Sequence, residues 1–187
     1  MSNIYFFSGP CGCGKSTLAE AFAKHLVNEN EEKEVYLIHG DDFHEGFVAK
    51  DNAREFLPNE QNSGLLAWTE IFKFSWDCFL AVTRNALARG MDVVIDYVIE
   101  EELPLVQEVA AECGANLYYV VLTASEDTIR QRIIGRGDVE MISRALFLKH
   151  KLDSMSENRG HLFDTTELSV EEEVEQLDIL KFEVKEG

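Results

Sequence analysis

The chain has 187 residues, 45% of them hydrophobic and 28% charged, which suits one globular domain with a buried core. Its balance is strongly acidic, with 35 Asp and Glu against 17 Lys and Arg and a formal net charge of −18. A surface of that sign repels a phosphate backbone and argues against bulk binding of nucleic acid. The apolar start is too short for a signal peptide or a membrane span, so no membrane partner is expected and the expected compartment is the cytoplasm. Cys11, Cys13, Cys78 and Cys113 form no C-x-x-C pairs of the zinc-binding type and are expected to remain thiols.

The first element is the strand Ile4-Tyr5-Phe6-Phe7, a β-branched and aromatic run. It runs into Gly9-Pro10-Cys11-Gly12-Cys13-Gly14-Lys15-Ser16, a complete G-x-x-x-x-G-K-[ST] phosphate loop, followed by Thr17. From Lys15 onward Leu18, Phe22 and Leu26 recur at helical spacing, so the loop joins a strand to a helix start. Glycines let main-chain N–H groups wrap around a triphosphate, and the helix N-terminus adds unpaired donors. Lys15 is expected on the β- and γ-phosphates and the Ser16 hydroxyl in the shell of a Mg²⁺ ion. The Cys11 and Cys13 thiols, among amide donors and beside Lys15, are candidates for lowered pKa and for protection by nucleotide; the alternative is inert loop fillers.

Val35 to Ile38 is the second strand and ends in His39-Gly40-Asp41-Asp42-Phe43-His44. Carboxylates at a strand's C-terminal end in an open α/β sheet face the ligand crevice, which makes Asp41, Asp42 and His44 candidate substrate contacts; the alternative is that the aspartates cap a turn. Residues 45–63 show no period and suit a covering segment that moves. Gly64 to Arg89 is the longest helix, with a core-facing stripe of Leu65, Trp68, Phe72, Trp76, Phe79 and Thr83.

Met91 to Asp96 is a short apolar strand ending in an acid, the pattern of a Walker B element. Asp96 is placed to hold the metal through water, to orient the substrate, or to cap the next turn. Glu100 to Gly114 is a helix with Leu105, Val109 and Cys113 expected inward, and Leu117 to Leu122 is a doubly covered strand. Ser125 caps a helix that runs through Ile129 and Ile133 and carries Arg130, Arg132 and Arg136. Basic residues gathered between Arg130 and Arg159 in so acidic a chain suggest an anionic ligand, or else pairing with neighbouring carboxylates. Gly135 to Asp138 is expected as a flexible break before a helix over Met141–Met155. His161 to Asp164 is the fifth strand, Ser169 to Glu172 a capping box before Val174, Leu177 and Leu180, and Lys181 to Gly187 a fraying tail. Five strand–helix alternations predict an α/β fold, a parallel sheet covered on both faces.

This combination resembles the small-molecule branch of the P-loop kinases, the shikimate and gluconate kinase group with its chloramphenicol phosphotransferase and zeta-toxin relatives. Gly40-Asp41-x-x-His44 is similar to the G-D-x-x-H element of gluconate kinases, and Asp41-Asp42-Phe43 to the D-D-F element of uridine and nicotinamide riboside kinases. Val93 to Tyr97 resembles the third strand of gluconate-kinase-like proteins. Arg132-x-x-x-Arg136 resembles a lid arginine pair, and Asp164-Thr165-Thr166 the adenine-side loop. After His44, Glu45-Gly46 stands where gluconate kinases carry Pro-Arg.

The resemblance implies a three-layer α/β/α P-loop NTPase fold with a five-stranded parallel sheet in the order 2-3-1-4-5. It implies one domain over 1–187, with a substrate-covering segment over 40–63 and a lid over 132–143. It also implies transfer of the ATP γ-phosphate to a small-molecule hydroxyl, with Asp41 as base. The expected cofactors are ATP and Mg²⁺, the metal on Ser16 with Asp96 or Asp42 nearby. Arg132 and Arg136 are expected to close over the transferred group. A nucleoside or nucleotide kinase and a non-catalytic nucleotide-binding module are the alternatives. A GTP switch is disfavoured, because N-K-x-D and D-x-x-G are absent.

Overall fold

The computed structural model of the protein describes residues 1–30, 32–47 and 68–185. Five strands form one sheet: β1 (Asn3–Ser8), β2 (Val35–His39), β3 (Asp92–Asp96), β4 (Asn116–Thr123) and β5 (Leu162–Asp164), in the order β2-β3-β1-β4-β5. The four pairings between these strands are all parallel, as expected. The strands alternate with α1 (Lys15–Glu29), α2 (Asp42–Glu45), α3 (Trp68–Leu87), α4 (Leu103–Cys113), α5 (Glu126–Arg136), α6 (Ile142–Ser154) and α7 (Val170–Gln176). Among the described residues no helix is long and apolar enough to cross a membrane.

The two-residue period of β1 divides the core into two layers. Ile4 and Phe6 point to the face that α3, α4 and α6 cover, where they join Trp76, Phe79, Val106 and Leu152. Tyr5 and Phe7 point to the other face and join Leu18 and Phe22 of α1 with Leu177 and Phe182 beyond α7. Both faces of the central strands are dry, so those strands read as continuous apolar runs. Burying each such side chain contributes about 1.5–3 kcal/mol of transfer free energy, which anchors the strand ends that carry polar groups. A third cluster of Ala124, Ile129, Ile133, Ala145 and Leu146 joins α5 to α6, and Cys11 of the phosphate loop packs against it.

Several local expectations are corrected. On α4 the buried residues are Val106, Val109 and Ala110, whereas Leu105 and Cys113 are exposed. Positions i, i+3 and i+4 share one side of a helix, and the row i, i+4, i+8 drifts off it. The break after α5 is shorter than expected: the helix runs through Gly135 and Arg136 and ends on left-handed Gly137, whose N–H bonds the carbonyls of Ile133 and Ile134. A 3₁₀ turn over Val139–Met141 then leads into α6. The capping box at Ser169 and Glu172 is present, but Leu180 is exposed. The C-terminal stretch is not frayed through Val184: Phe182 is buried and the Val184 N–H donates to the Leu117 carbonyl at 2.8 Å. Of the expected covering segment 40–63, residues 48–63 lie outside the described residues, as do 64–67 of the expected long helix.

Candidate active site

The phosphate loop leaves β1 at the centre of the sheet and enters α1 without a side-chain cap. Gly9, Gly12 and Gly14 have φ of 138°, 82° and 98°, values that L side chains rarely adopt. Space is a second constraint at Gly9, where a Cβ would lie 2.4 Å from the Leu122 carbonyl oxygen and 2.8 Å from Cys13 Sγ. The loop is therefore drawn tightly over the end of β4. Lys15 folds back across it, and Nζ donates to the Pro10 carbonyl at 3.1 Å.

At the base of the loop, Ser16 Oγ donates to Asp96 Oδ2. The other oxygen of the same carboxylate accepts from His39 Nδ1 at 2.6 Å. His39 is the last residue of β2 and sits opposite Asp96 in the parallel register. On its far side, His39 Nε2 lies 3.8 Å from Glu20 Oε1 of α1. Asp96 is 4% exposed, and both its oxygens are occupied by side-chain donors.

On the β4–β5 side, Arg132 reaches the loop from α5. Its Nη1 donates to the Cys13 carbonyl at 3.3 Å and to Thr165 Oγ1 at 3.1 Å, and Nη2 donates to the Thr165 carbonyl at 2.9 Å. Thr165 is buried, and its hydroxyl in turn donates to the Cys13 carbonyl at 2.9 Å. Thr166 Oγ1 accepts from the Ser125 N–H at 2.8 Å. One turn beyond Arg132, Arg136 Nη2 donates to Cys11 Sγ at 2.9 Å. Glu173 of α7 is only 3% exposed; burial raises its carboxyl to about 7 against the opposing pull of the Arg132 guanidinium. Cys13 is fully buried, and burial pushes its thiol up despite Lys15 nearby, which favours the alternative of an inert loop filler at this position. Cys11 is half-buried.

The turn after β2 forms the opposite wall. Gly40 has no room for a side chain, since a Cβ would lie 2.5 Å from the Tyr97 ring. Asp41 and Asp42 open α2, yet the Asp41 side chain makes no capping bond and is 68% exposed. His44 Nε2 lies 4.0 Å from Asp41 Oδ1, and His44 Nδ1 lies 3.4 Å from the Tyr97 hydroxyl. Tyr97 is buried among Phe72, Trp76 and Phe79, and burial followed by Asp41 raises its hydroxyl pKa. Asp42 turns toward the sheet edge, where it borders a hollow with Tyr36, Leu37, His39 and Phe43. The two adjacent aspartates thus serve different surroundings.

A family model described as an AAA domain, AAA_33, matches residues 4–171, nine-tenths of the chain and every group just described except Glu173. The chain belongs to the AAA_33 family. Among curated proteins, this AAA_33 chain is 25% identical over 154 residues to the guanylate kinase of Helicobacter hepaticus, covering 79% of this chain and 74% of that one. Among solved structures it is similar to the APS kinase of Mycobacterium tuberculosis in complex with AMPPNP and APS, with TM-score 0.67 and 18% identity over 96% of this chain and 98% of that one. It is also similar to a gluconokinase of Sinorhizobium meliloti 1021, with TM-score 0.56 and 20% identity over 97% and 91%. The fold is that of the P-loop NTPases.

The AAA_33 site gathers the sequence candidates into three groups: Ser16 with Asp96; Arg132, Arg136, Thr165 and Thr166 with the loop; and Asp41 with His44. Asp42 stands apart. Sequence reading missed His39, Glu20 and Tyr97 as site residues. His39 could have been found from the strand order, because β2 and β3 are neighbours and both end in an ionisable residue. The donors at Ser16 and Asp96 are hard oxygens and suit Mg²⁺. Among the described residues no group of three or more His, Cys, Asp or Glu side chains could hold a metal ion by itself.

Proposed function

We propose that this protein is an ATP- and Mg²⁺-dependent phosphotransferase that moves the γ-phosphate to a hydroxyl of a small molecule. This reading is supported by three features at the C-terminal edge of one parallel sheet: a glycine loop in left-handed conformations after β1, a serine hydroxyl tied to the buried carboxylate that ends β3, and an exposed carboxylate just after β2. Phosphoryl transfer needs little covalent chemistry from the protein; it needs positioning, charge neutralisation and an acceptor for one proton.

In this reading the main-chain amides of the loop, from Gly9, Cys11 and Gly12 through Cys13 and Gly14 to Thr17, hold the phosphates. Lys15 exchanges the Pro10 carbonyl for a phosphate oxygen. Ser16 spends its proton on Asp96 and keeps its lone pairs for a cation. Mg²⁺, when bound there, neutralises phosphate charge. Asp41 takes the acceptor's hydroxyl proton, because it is exposed and makes no capping bond that would occupy its oxygens, and His44 and Tyr97 shape the wall beside it. His44 contacts the acceptor side, while Asp42 borders the outer hollow. Arg136, at the loop's open edge, closes over the transferred group. Arg132 spends three hydrogen bonds on Cys13 and Thr165, so its part is to hold the nucleotide wall of Thr165 and Thr166 in place. Of the expected lid over 132–143, the part beyond the anchored Arg132 moves, within one domain.

A second reading, a nucleotide kinase, is favoured by the likeness to guanylate kinases over 79% of the chain. The acidic turn of Asp41, Asp42 and Glu45 supports a neutral or cationic acceptor instead, since a second phosphate would sit among carboxylates. Glu45-Gly46 in place of Pro-Arg also weighs against gluconate. Purified protein with ATP and Mg²⁺ is to be tested against sugar acids, neutral polyols, aminoglycosides, phenicols, nucleosides and GMP, scored by ADP release. Release with a hydroxyl compound alone supports the first reading, and release with GMP alone selects the second.

A further inference from the structure

The contacts of Asp96 give His39 a task that nothing in the phosphate loop performs. A carboxylate that must face a serine and a cation has two equivalent oxygens and can rotate between them. Here one oxygen, Oδ2, accepts from Ser16 Oγ. The other, Oδ1, is taken by His39 Nδ1 at 2.6 Å, inside a pocket where the Asp96 side chain is 4% exposed. Carboxylates carry no proton to donate, so the hydrogen in this bond belongs to Nδ1. The His39 main chain is fixed in the β2–β3 register opposite Asp96. Glu20 Oε1 of α1 lies 3.8 Å from Nε2, beyond hydrogen-bond reach.

We propose that His39 is a positioning residue that holds the Asp96 carboxylate with Oδ2 toward Ser16 and so sets the affinity of this site for a divalent cation accompanying a nucleotide. The inference rests on the phosphotransferase reading of the same site and adds a residue to it. Its physical basis is general: partners that hydrogen-bond a metal-site carboxylate fix its orientation and polarity, and their loss weakens metal affinity. Without His39, Oδ1 is a buried acceptor with no donor. The carboxylate then gains from turning toward other partners, at the expense of the bond that orders Ser16. The loop amides and Lys15 are untouched by that loss, so phosphate binding as such is preserved.

The test separates metal-dependent from metal-free nucleotide binding. Calorimetric titration with ADP, with and without Mn²⁺, is run on wild type, His39→Leu, His39→Asn, His39→Gln and Glu20→Gln, each checked by its melting temperature. His39→Leu is expected to weaken Mn²⁺–ADP by about 10-fold or more while metal-free ADP stays within about 2-fold, the range that partners of metal ligands show. His39→Asn, whose amide N–H lies at the reach of Nδ1, is expected to recover most of the loss. His39→Gln, whose amide lies at the reach of Nε2, is not. Glu20→Gln, which removes no hydrogen bond to the imidazole, is expected to bind both forms as wild type does. Equal Mn²⁺–ADP affinity in wild type and His39→Leu would overturn the inference alone. So would parallel losses with and without Mn²⁺, or equal recovery by Asn and Gln. A wild type that binds no ADP, or binds it with no gain from Mn²⁺, would overturn this inference together with the reading beneath it.

Discussion

Arg136 Nη2 lies 2.9 Å from Cys11 Sγ, so the last turn of α5 rests on the open edge of the phosphate loop. The loop is held from two further sides. Arg132 and Thr165 both hydrogen-bond the Cys13 carbonyl, and the end of β4 crowds Gly9 so closely that no side chain fits. Rigidity of this kind is what a phosphate cradle requires, since amides already pointed inward lose little entropy on binding.

Cys11 and Cys13 differ sharply in surroundings, and that difference is testable. Cys13 is fully buried with its thiol pushed up, while Cys11 is half-buried against Arg136. Alkylation with iodoacetamide, followed by peptide mass spectrometry, should label Cys11 well before Cys13, and ATP–Mg²⁺ should slow labelling of Cys11. Labelling of Cys13 at the same rate as Cys11 would contradict the burial argument.

Asp41 and Asp96 occupy different positions and should fail differently. Removing a base costs stabilisation that exists mainly in the transition state, so Asp41→Asn should lower kcat by about 10²-fold or more with ATP affinity nearly unchanged. Asp96→Asn loses the carboxylate beside Ser16 and should instead raise the Mg²⁺ concentration needed for half-maximal rate. Asp42 borders the outer hollow, so Asp42→Asn should keep both kcat and the Mg²⁺ requirement near wild type. Steady-state kinetics at varied Mg²⁺ check all three. Full activity of Asp41→Asn would remove its assignment.

Glu173 supplies a pH signature. Its carboxyl is raised from 4.5 to about 7 by burial, with Arg132 opposing. The folded state therefore holds this proton more tightly than the unfolded chain does. That contribution to stability is complete below pH about 4.5 and is lost as pH rises through about 7, at up to about 1.4 kcal/mol per pH unit between them. Glu173→Gln, which resembles the protonated acid, should match wild type in urea unfolding near pH 4.5 and exceed it by about 1–3 kcal/mol at pH 8. A stability difference that does not change with pH would show that Glu173 does not titrate in this window.

The sheet was legible because each strand is a short apolar run and the loop motif marks the first crossover; the strand order came from the resemblance to P-loop kinases. Ser16 and Asp96 were legible for a similar reason, one from the motif and the other as an acid ending an apolar strand. His39 was not, because its meaning depends on parallel register: only beside β3 does the last residue of β2 face Asp96. The inward face of α4 was misread because Leu105, Val109 and Cys113 also form an apolar row, and only the packed sheet selects Val106, Val109 and Ala110. The tail was misread because its charges outnumber Phe182 and Val184, whose burial and main-chain pairing to β4 are long-range. Arg132 and Arg136 looked alike in sequence, yet one turn of helix sends the first to Thr165 and the second to Cys11.

Phosphoryl transfer carried by the loop lysine is tested most directly by following the γ-phosphate itself. Lys15→Ala removes a charge and no core volume, and charge-assisted hydrogen bonds of this type are each worth about 1.5–3 kcal/mol. With γ-³²P-labelled ATP, Mg²⁺ and the acceptor that gives most ADP release, wild type should move label onto an acceptor hydroxyl. Lys15→Ala should move about 10-fold to 100-fold less, on the scale of one lost charge-assisted bond, with an unchanged circular dichroism spectrum. Label that stays in ATP across the whole acceptor panel, appears only as inorganic phosphate, or reaches the acceptor equally in Lys15→Ala would contradict the account.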